Sequence, residues 1–300
     1  MLTVEKWLEE RLVSALPPKA VAARLARLME SSRLSAQVRW FSVPLASGVG
    51  SSALFMPSNQ AGVRQSLVIF FNSYGQGGVT AEWQWIASLL ARGLPVLSVD
   101  LDGHGEGVSA WDAAMCTRSI PLILHKIYSS VGDTMLSRSA SLPKCFLMGN
   151  SLSATMALIA ATRPEAEGVL SGVVAVSPMV ALPKARGGKS LKQRKTVPKA
   201  LGFRKRAGVD PVDQVRAFLA ENVERQELLR QVRVPVLWMH GARDRLVSVD
   251  RATLIMTTIS SALFSHIDEK RGHSLMKASV EISNYAARFI EQCVDSEKLG

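Results

Sequence analysis

Five short apolar runs separated by stretches of helical pattern constrain the fold of this chain more than any other feature. They are LVIFFN (67 to 72), LPVLSVDL (94 to 101), KCFLMGN (144 to 150), GVVAVS (172 to 177) and VPVLWMHG (234 to 241). A strand that is apolar along its whole length is covered on both faces, and strands that alternate with helices pair in parallel. The pattern therefore predicts an α/β architecture with a mostly parallel, doubly wound sheet. A last strand is expected at about Ala262 to Asp268, ahead of a C-terminal helix from near Leu275. Upstream, QVRWFSVPL and SALFMP read as an antiparallel hairpin around Ser47-Gly48-Val49-Gly50.

Two amphipathic helices are expected at the start. Thr3 is placed to N-cap the first, and Pro17-Pro18 separates it from a second over Ala20 to about Ser31. Leu2, Trp7, Leu8 and Leu12 form an apolar stripe, read as packing against the main domain because acidic residues dilute a membrane-docking basic face. The domain reading is an N-terminal helical extension over 1–36 and a main domain over 37–300, with a cap insertion at about 181–230.

That insertion contains the one strong shift in composition. Between Pro183 and Arg206 lie ten Lys or Arg residues and no acid, a large part of the net charge of +11. An excess of this size points to an anionic substrate or surface. Only Phe203 interleaves the run, so no stacking platform supports nucleic-acid binding, which is not expected. With 47% hydrophobic residues the chain can bury a substantial core, which excludes global disorder. No apolar run approaches the roughly 18 residues of a membrane span, while peripheral membrane contact stays open. Cys116, Cys145 and Cys293 are odd in number at unrelated spacings, which suggests neither disulfides nor a zinc site. The N-terminus lacks a secretory pattern, and a cytoplasmic location is expected. Oligomeric state is not legible.

Three elements carry chemistry. GNSLS, Gly149 to Ser153, lies between the run CFLM and the small-residue stretch ATMALIAA. A serine at a sharp strand-to-helix turn has its hydroxyl thrust above the sheet edge, beside a helix N-terminus that favours negative charge. HGARDRLVSVD, His240 to Asp250, puts Asp244 in the loop after a strand, where active-site groups of parallel sheets gather. A turn cap, or pairing with Arg243 or Arg245, is the competing reading of Asp244, and Asp250 is expected to N-cap the next helix. RGHSLM, Arg271 to Met276, puts His273 after the last strand. The other histidines, His104, His125, His240 and His266, fall in a turn, a helix and two strands and are read as structural. A serine needs a base near neutral pKa and a carboxylate to orient that base, which Ser151, His273 and Asp244 supply in workable order. The oxyanion formed on attack needs backbone N–H donors, here assigned to Leu152 and to Tyr74 in the glycine-rich loop NSYGQGG. No GK[ST] follows that loop, which argues against a nucleotide, and no cofactor or metal is expected.

These elements, between Leu67 and Phe289, resemble the α/β-hydrolase superfamily. Asn72-Ser73-Tyr74-Gly75 is similar to its His-Gly-x-Gly oxyanion loop, with Asn72 and Ser73 in place of His and Gly. DLDGHGEG, Asp100 to Gly107, is similar to D-x-P-G-x-G-x-S, departing at Asp102 and Gly107. The elbow G-x-S-x-G is matched at Gly149 and Ser151 and departs at Ser153. The resemblance implies a serine hydrolase of carboxylic esters or thioesters working through an acyl-serine on a small-molecule acyl substrate, and the basic run adds the expectation that this substrate is anionic. An acyltransferase with the same triad, or a non-catalytic relative binding an anionic partner through its cap, are the alternatives.

Overall fold

Alternation along the central strands decides how the sheet is covered. In β4 (Ser66–Phe71), Leu67, Ile69 and Phe71 enter one apolar cluster while Val68 and Phe70 enter another on the opposite face. β6 (Lys144–Asn150) repeats the division, with Cys145 and Leu147 on one side and Phe146 and Met148 on the other. Successive strand side chains point to opposite faces, so an unbroken apolar run demands helices on both. The computed structural model describes residues 3–17, 19–58, 66–73, 82–105, 109–128, 143–181, 210–224, 227–260, 263–273 and 275–296.

The remaining strands are β1 (Val13–Ser14), β2 (Ala36–Leu45), β3 (Gly48–Pro57), β5 (Val96–Val99), β7 (Leu170–Val176), β8 (Val236–Gly241) and β9 (Leu263–Asp268). Among the described residues they form one sheet in the order β1-β2-β3-β5-β4-β6-β7-β8-β9. β1, β2 and β3 are antiparallel, β3 joins β5 antiparallel, and pairing is parallel from β5 to β9. The mostly parallel α/β sheet with an antiparallel start is as expected.

One face carries α1 (Val4–Glu9), α4 (Ala113–Tyr128), α5 (Leu152–Ala160), α6 (Pro211–Leu219) and α7 (Val249–Met256). The other carries α2 (Lys19–Ser32), α3 (Trp83–Leu90) and α8 (Ser279–Ser296). Thr3 caps α1 by accepting from Lys6 N. Val4, Trp7, Leu8 and Leu12 are buried in the same cluster as the strands, and Trp7 meets Tyr128 edge to face at 5.0 Å. Leu2 lies outside the described residues, and the rest of the stripe belongs to the core.

Two local expectations are corrected. The hairpin turns at Ala46-Ser47, with Leu45 paired to Gly48, so residues 48 to 50 belong to β3. Tertiary bonds hold this turn: Ser119 Oγ accepts from Ala46 N and Asp102 Oδ1 from Ser47 N. After the basic run α6 passes into a π turn at Ala220–Glu224, where Val223 is buried. Finally, Ser248, not Asp250, N-caps α7, because its hydroxyl accepts from Arg251 N while Asp250 lies in the first turn. The basic residues Lys184 to Arg206 lie outside the described residues. No described helix is long and apolar enough to cross a membrane.

Candidate active site

Ser151 sits between β6 and α5 at φ 61°, ψ −120°. A non-glycine residue in that region is strained and persists only where its surroundings hold it. Ser151 N donates to Val176 O at 2.9 Å, Met179 N donates back to Ser151 O at 3.1 Å, and Thr155 Oγ1 donates to Met179 O. The chain leaving β7 therefore clamps the turn. Gly149 permits it, since a Cβ there would lie 2.5 Å from Ala154 N and from Ser153 C.

Ser153, where the family pattern has glycine, makes bonds that glycine cannot. Its Oγ accepts from Asn150 N at 3.0 Å and lies 2.9 Å from Phe71 O, to which it can donate. The serine ties the first turn of α5 to the strand ends on either side.

The other two predicted residues converge on the same place. Ser151 Oγ is 2.8 Å from His273 Nε2, and His273 Nδ1 is 2.7 Å from Asp244 Oδ2. Asp244 Oδ1 accepts from Leu246 N at 2.7 Å and Val247 N at 3.0 Å. Burial pushes the Asp244 carboxyl upward, but the His273 bond and charge and the two backbone donors together hold it below the ordinary carboxylate range. Among the described residues its Oδ2 faces the rings of His240 at 3.3 Å and His273 at 2.7 Å, and no ion pair joins it to Arg243 or Arg245. The loops bearing Asp244 and His273 are stitched by Arg243 N to Arg271 O at 2.9 Å and Ala242 N to Asp268 O at 2.9 Å.

Leu152 opens α5, so its N–H has no acceptor within the helix and stands beside Ser151. Tyr74, the other expected donor, lies outside the described residues. A groove of about 590 Å³ between α4 and α6, lined by Arg118, His125 and Phe218 among others, touches none of the three converging residues. Among the described residues no group of three His, Cys, Asp or Glu is arranged to hold a metal ion.

With this geometry in view, likeness to known proteins is informative. No family model matches the sequence, and no curated protein matches it either. Solved structures do match. An esterase of Pyrococcus furiosus, Pf2001, is 16% identical over 88% of this chain and 93% of its own, with a TM-score of 0.61. A DcsB complex with its substrate analogue is 15% identical over 86% and 99%, at 0.63. Est1E of Butyrivibrio proteoclasticus is 13% identical over 85% and 99%, at 0.55. This chain has the α/β-hydrolase fold. In this fold Ser151 follows β6, and Asp244 and His273 follow β8 and β9.

Two residues next to these positions escaped the sequence reading. His240, read as merely structural, puts Nε2 3.0 Å from Val247 O and 3.3 Å from Asp244 Oδ2, and burial lowers its pKa. Glu82, at the head of α3, is 1% exposed and accepts from Ser73 N, Ser73 Oγ and Asn150 Nδ2 at 2.6, 2.6 and 2.8 Å. Burial raises its pKa, partly offset by those donors. An acid before an apolar helix reads as an N-cap, so nothing local marks Glu82 as part of the site.

Proposed function

We propose that this chain is a serine hydrolase that cleaves a carboxylic ester or thioester through an acyl-serine intermediate. The single observation carrying this is the continuous hydrogen-bonded run from Ser151 Oγ through His273 to Asp244, at 2.8 and 2.7 Å, on a strained strand-to-helix turn. The esterases among its structural neighbours support the ester class.

Ser151 Oγ attacks the acyl carbon while its proton passes to His273 Nε2. Asp244 holds Nδ1–H, fixes the tautomer and stabilises the imidazolium. The oxyanion takes hydrogen bonds from the N–H groups of Leu152 and Tyr74. Collapse expels the alcohol or thiol, which leaves with the proton from Nε2. Water then repeats the sequence on the acyl-serine, giving the carboxylic acid and free Ser151. Ser153 supports the reading, since the departure from glycine is accommodated by bonds that brace the turn.

The ten cations of the basic run favour an anionic acyl substrate or an anionic surrounding. On matched neutral and anionic esters, rising salt should erode turnover of the anionic member selectively. Equal salt response would remove this part of the proposal.

Labelling with a fluorophosphonate probe, read by intact mass, tests the core of it. One adduct is expected on wild-type protein, none on Ser151→Ala and far less on His273→Ala. A folded wild type that takes no label overturns the reading.

A further inference from the structure

Glu82 forgoes the role its position offers. It is the N-cap residue of α3, at φ −111° and ψ 45°, yet its side chain makes no capping bond to that helix. The carboxylate instead turns inward, where it is 1% exposed, and among the described residues no cation pairs with it. Burying a carboxylate without a cation is costly, and three donors are gathered to offset it.

Those donors stand at two places that matter. Oε2 accepts from Ser73 N at 2.6 Å, while Oε1 accepts from Ser73 Oγ at 2.6 Å and from Asn150 Nδ2 at 2.8 Å. Asn150 Nδ2 also lies 3.0 Å from Ser73 Oγ, closing a ring of contacts. Asn150 immediately precedes Ser151, and Ser73 immediately precedes Tyr74. One carboxylate therefore bridges the residue before the nucleophile and the residue before the expected second oxyanion donor.

We infer that Glu82 is a positioning residue that sets the spacing between the nucleophile turn and the oxyanion loop, acting through Asn150 and Ser73. This rests on the serine-hydrolase reading above. Donors that stabilise an oxyanion must sit where the oxygen will be in the transition state, which requires the β4 and β6 ends to be locked together. A carboxylate suits the task because it only accepts, so both oxygens can hold donors from two segments at once.

Glu82→Gln keeps the shape but gives one terminal atom two N–H donors, which repel either Ser73 N–H or the Asn150 amide. With a short-chain p-nitrophenyl ester, kcat is expected to fall about 10- to 100-fold while KM stays within about threefold. Affinity for a trifluoromethyl ketone, which forms the oxyanion on Ser151, should fall by the same factor as kcat/KM. A role confined to stability would not move that affinity selectively. Ser73→Ala removes one donor and should cost about 3- to 10-fold, and adding it to Glu82→Gln should cost less than the product of the two.

A folded Glu82→Gln that keeps both kcat and trifluoromethyl ketone affinity within about twofold overturns the inference. If Glu82→Gln does not fold, Ser73→Ala and Asn150→Ala decide in its place: loss of ketone affinity in step with kcat/KM supports the inference, and no such loss overturns it. Failure of the parent reading looks different, because wild-type protein would then form no fluorophosphonate adduct and turn over no ester.

Discussion

A Cβ on Gly241 would lie 2.4 Å from the carbonyl oxygen of Gly272, so the acid loop and the histidine loop touch backbone to backbone. Gly241 ends β8, and Arg271 O is as close, at 2.5 Å. Neither contact can yield as a flexible side chain would. Gly241→Ala should therefore push the Arg271–His273 segment outward and part His273 from Asp244. Misplacement of about 1 Å can cost about 100-fold in rate, so kcat should fall by about that factor. Overpacking should also cost about 1–3 kcal/mol, read from the urea midpoint. Wild-type kcat in this variant would mean the loops are not held as close as the distances indicate.

Asp244→Asn isolates the orienting role. The carbonyl of an amide can keep the bonds from Leu246 N and Val247 N, which leaves an NH₂ group facing His273 Nδ1. Imidazole then favours the tautomer with its proton on Nε2, where it cannot accept from Ser151. A loss of about 10⁴ in kcat is expected, with fluorophosphonate labelling slowed in parallel. A loss under about tenfold would remove Asp244 from the mechanism.

Ser153 should behave as a brace, not as chemistry. Ser153→Ala deprives the buried Asn150 N–H of its acceptor at 3.0 Å, and a buried donor left unsatisfied costs about 1–3 kcal/mol. Ser153→Gly, which restores the family pattern, adds about 0.5–1 kcal/mol through backbone entropy in α5. Thermal melts should fall for both, more for glycine, while Ser151 still takes the label. A glycine variant as stable as wild type would contradict the assigned bonds.

His104 gives stability a pH dependence. It is 4% exposed, and burial lowers its pKa from 6.5 to about 4, with Nδ1 3.1 Å from Asp102 O. The unfolded chain binds this proton below its ordinary pKa while the folded chain stays neutral until about 4. Stability is therefore lost as pH falls through that window, by about 2 kcal/mol between about pH 7 and about pH 5. Urea titrations of wild type and His104→Gln at both values check it: the variant should lose less on acidification, and parallel losses would assign the slope to other groups.

The physical basis of what was legible in the sequence is local. Whole-length apolar runs at β4, β6 and β8 disclose strands covered on both faces, because every side chain in them must leave water. The small residues around Ser151 disclose the turn, since Gly149 leaves no room for a Cβ. The chain order of Ser151, Asp244 and His273 discloses which loops must meet. What depended on tertiary structure was each assignment where several residues compete for one partner. Ser47 rather than Gly48 ends the hairpin turn because Asp102, 55 residues away, accepts its N–H. Asp244 meets His273, not its arginine neighbours, because β8 and β9 lie side by side. Glu82 leaves its helix for Ser73 and Asn150, whose strand ends come within reach only once β4 and β6 pair. Local sequence specifies what each segment can bury, whereas the choice among polar partners is made by distances that exist only after the sheet has closed.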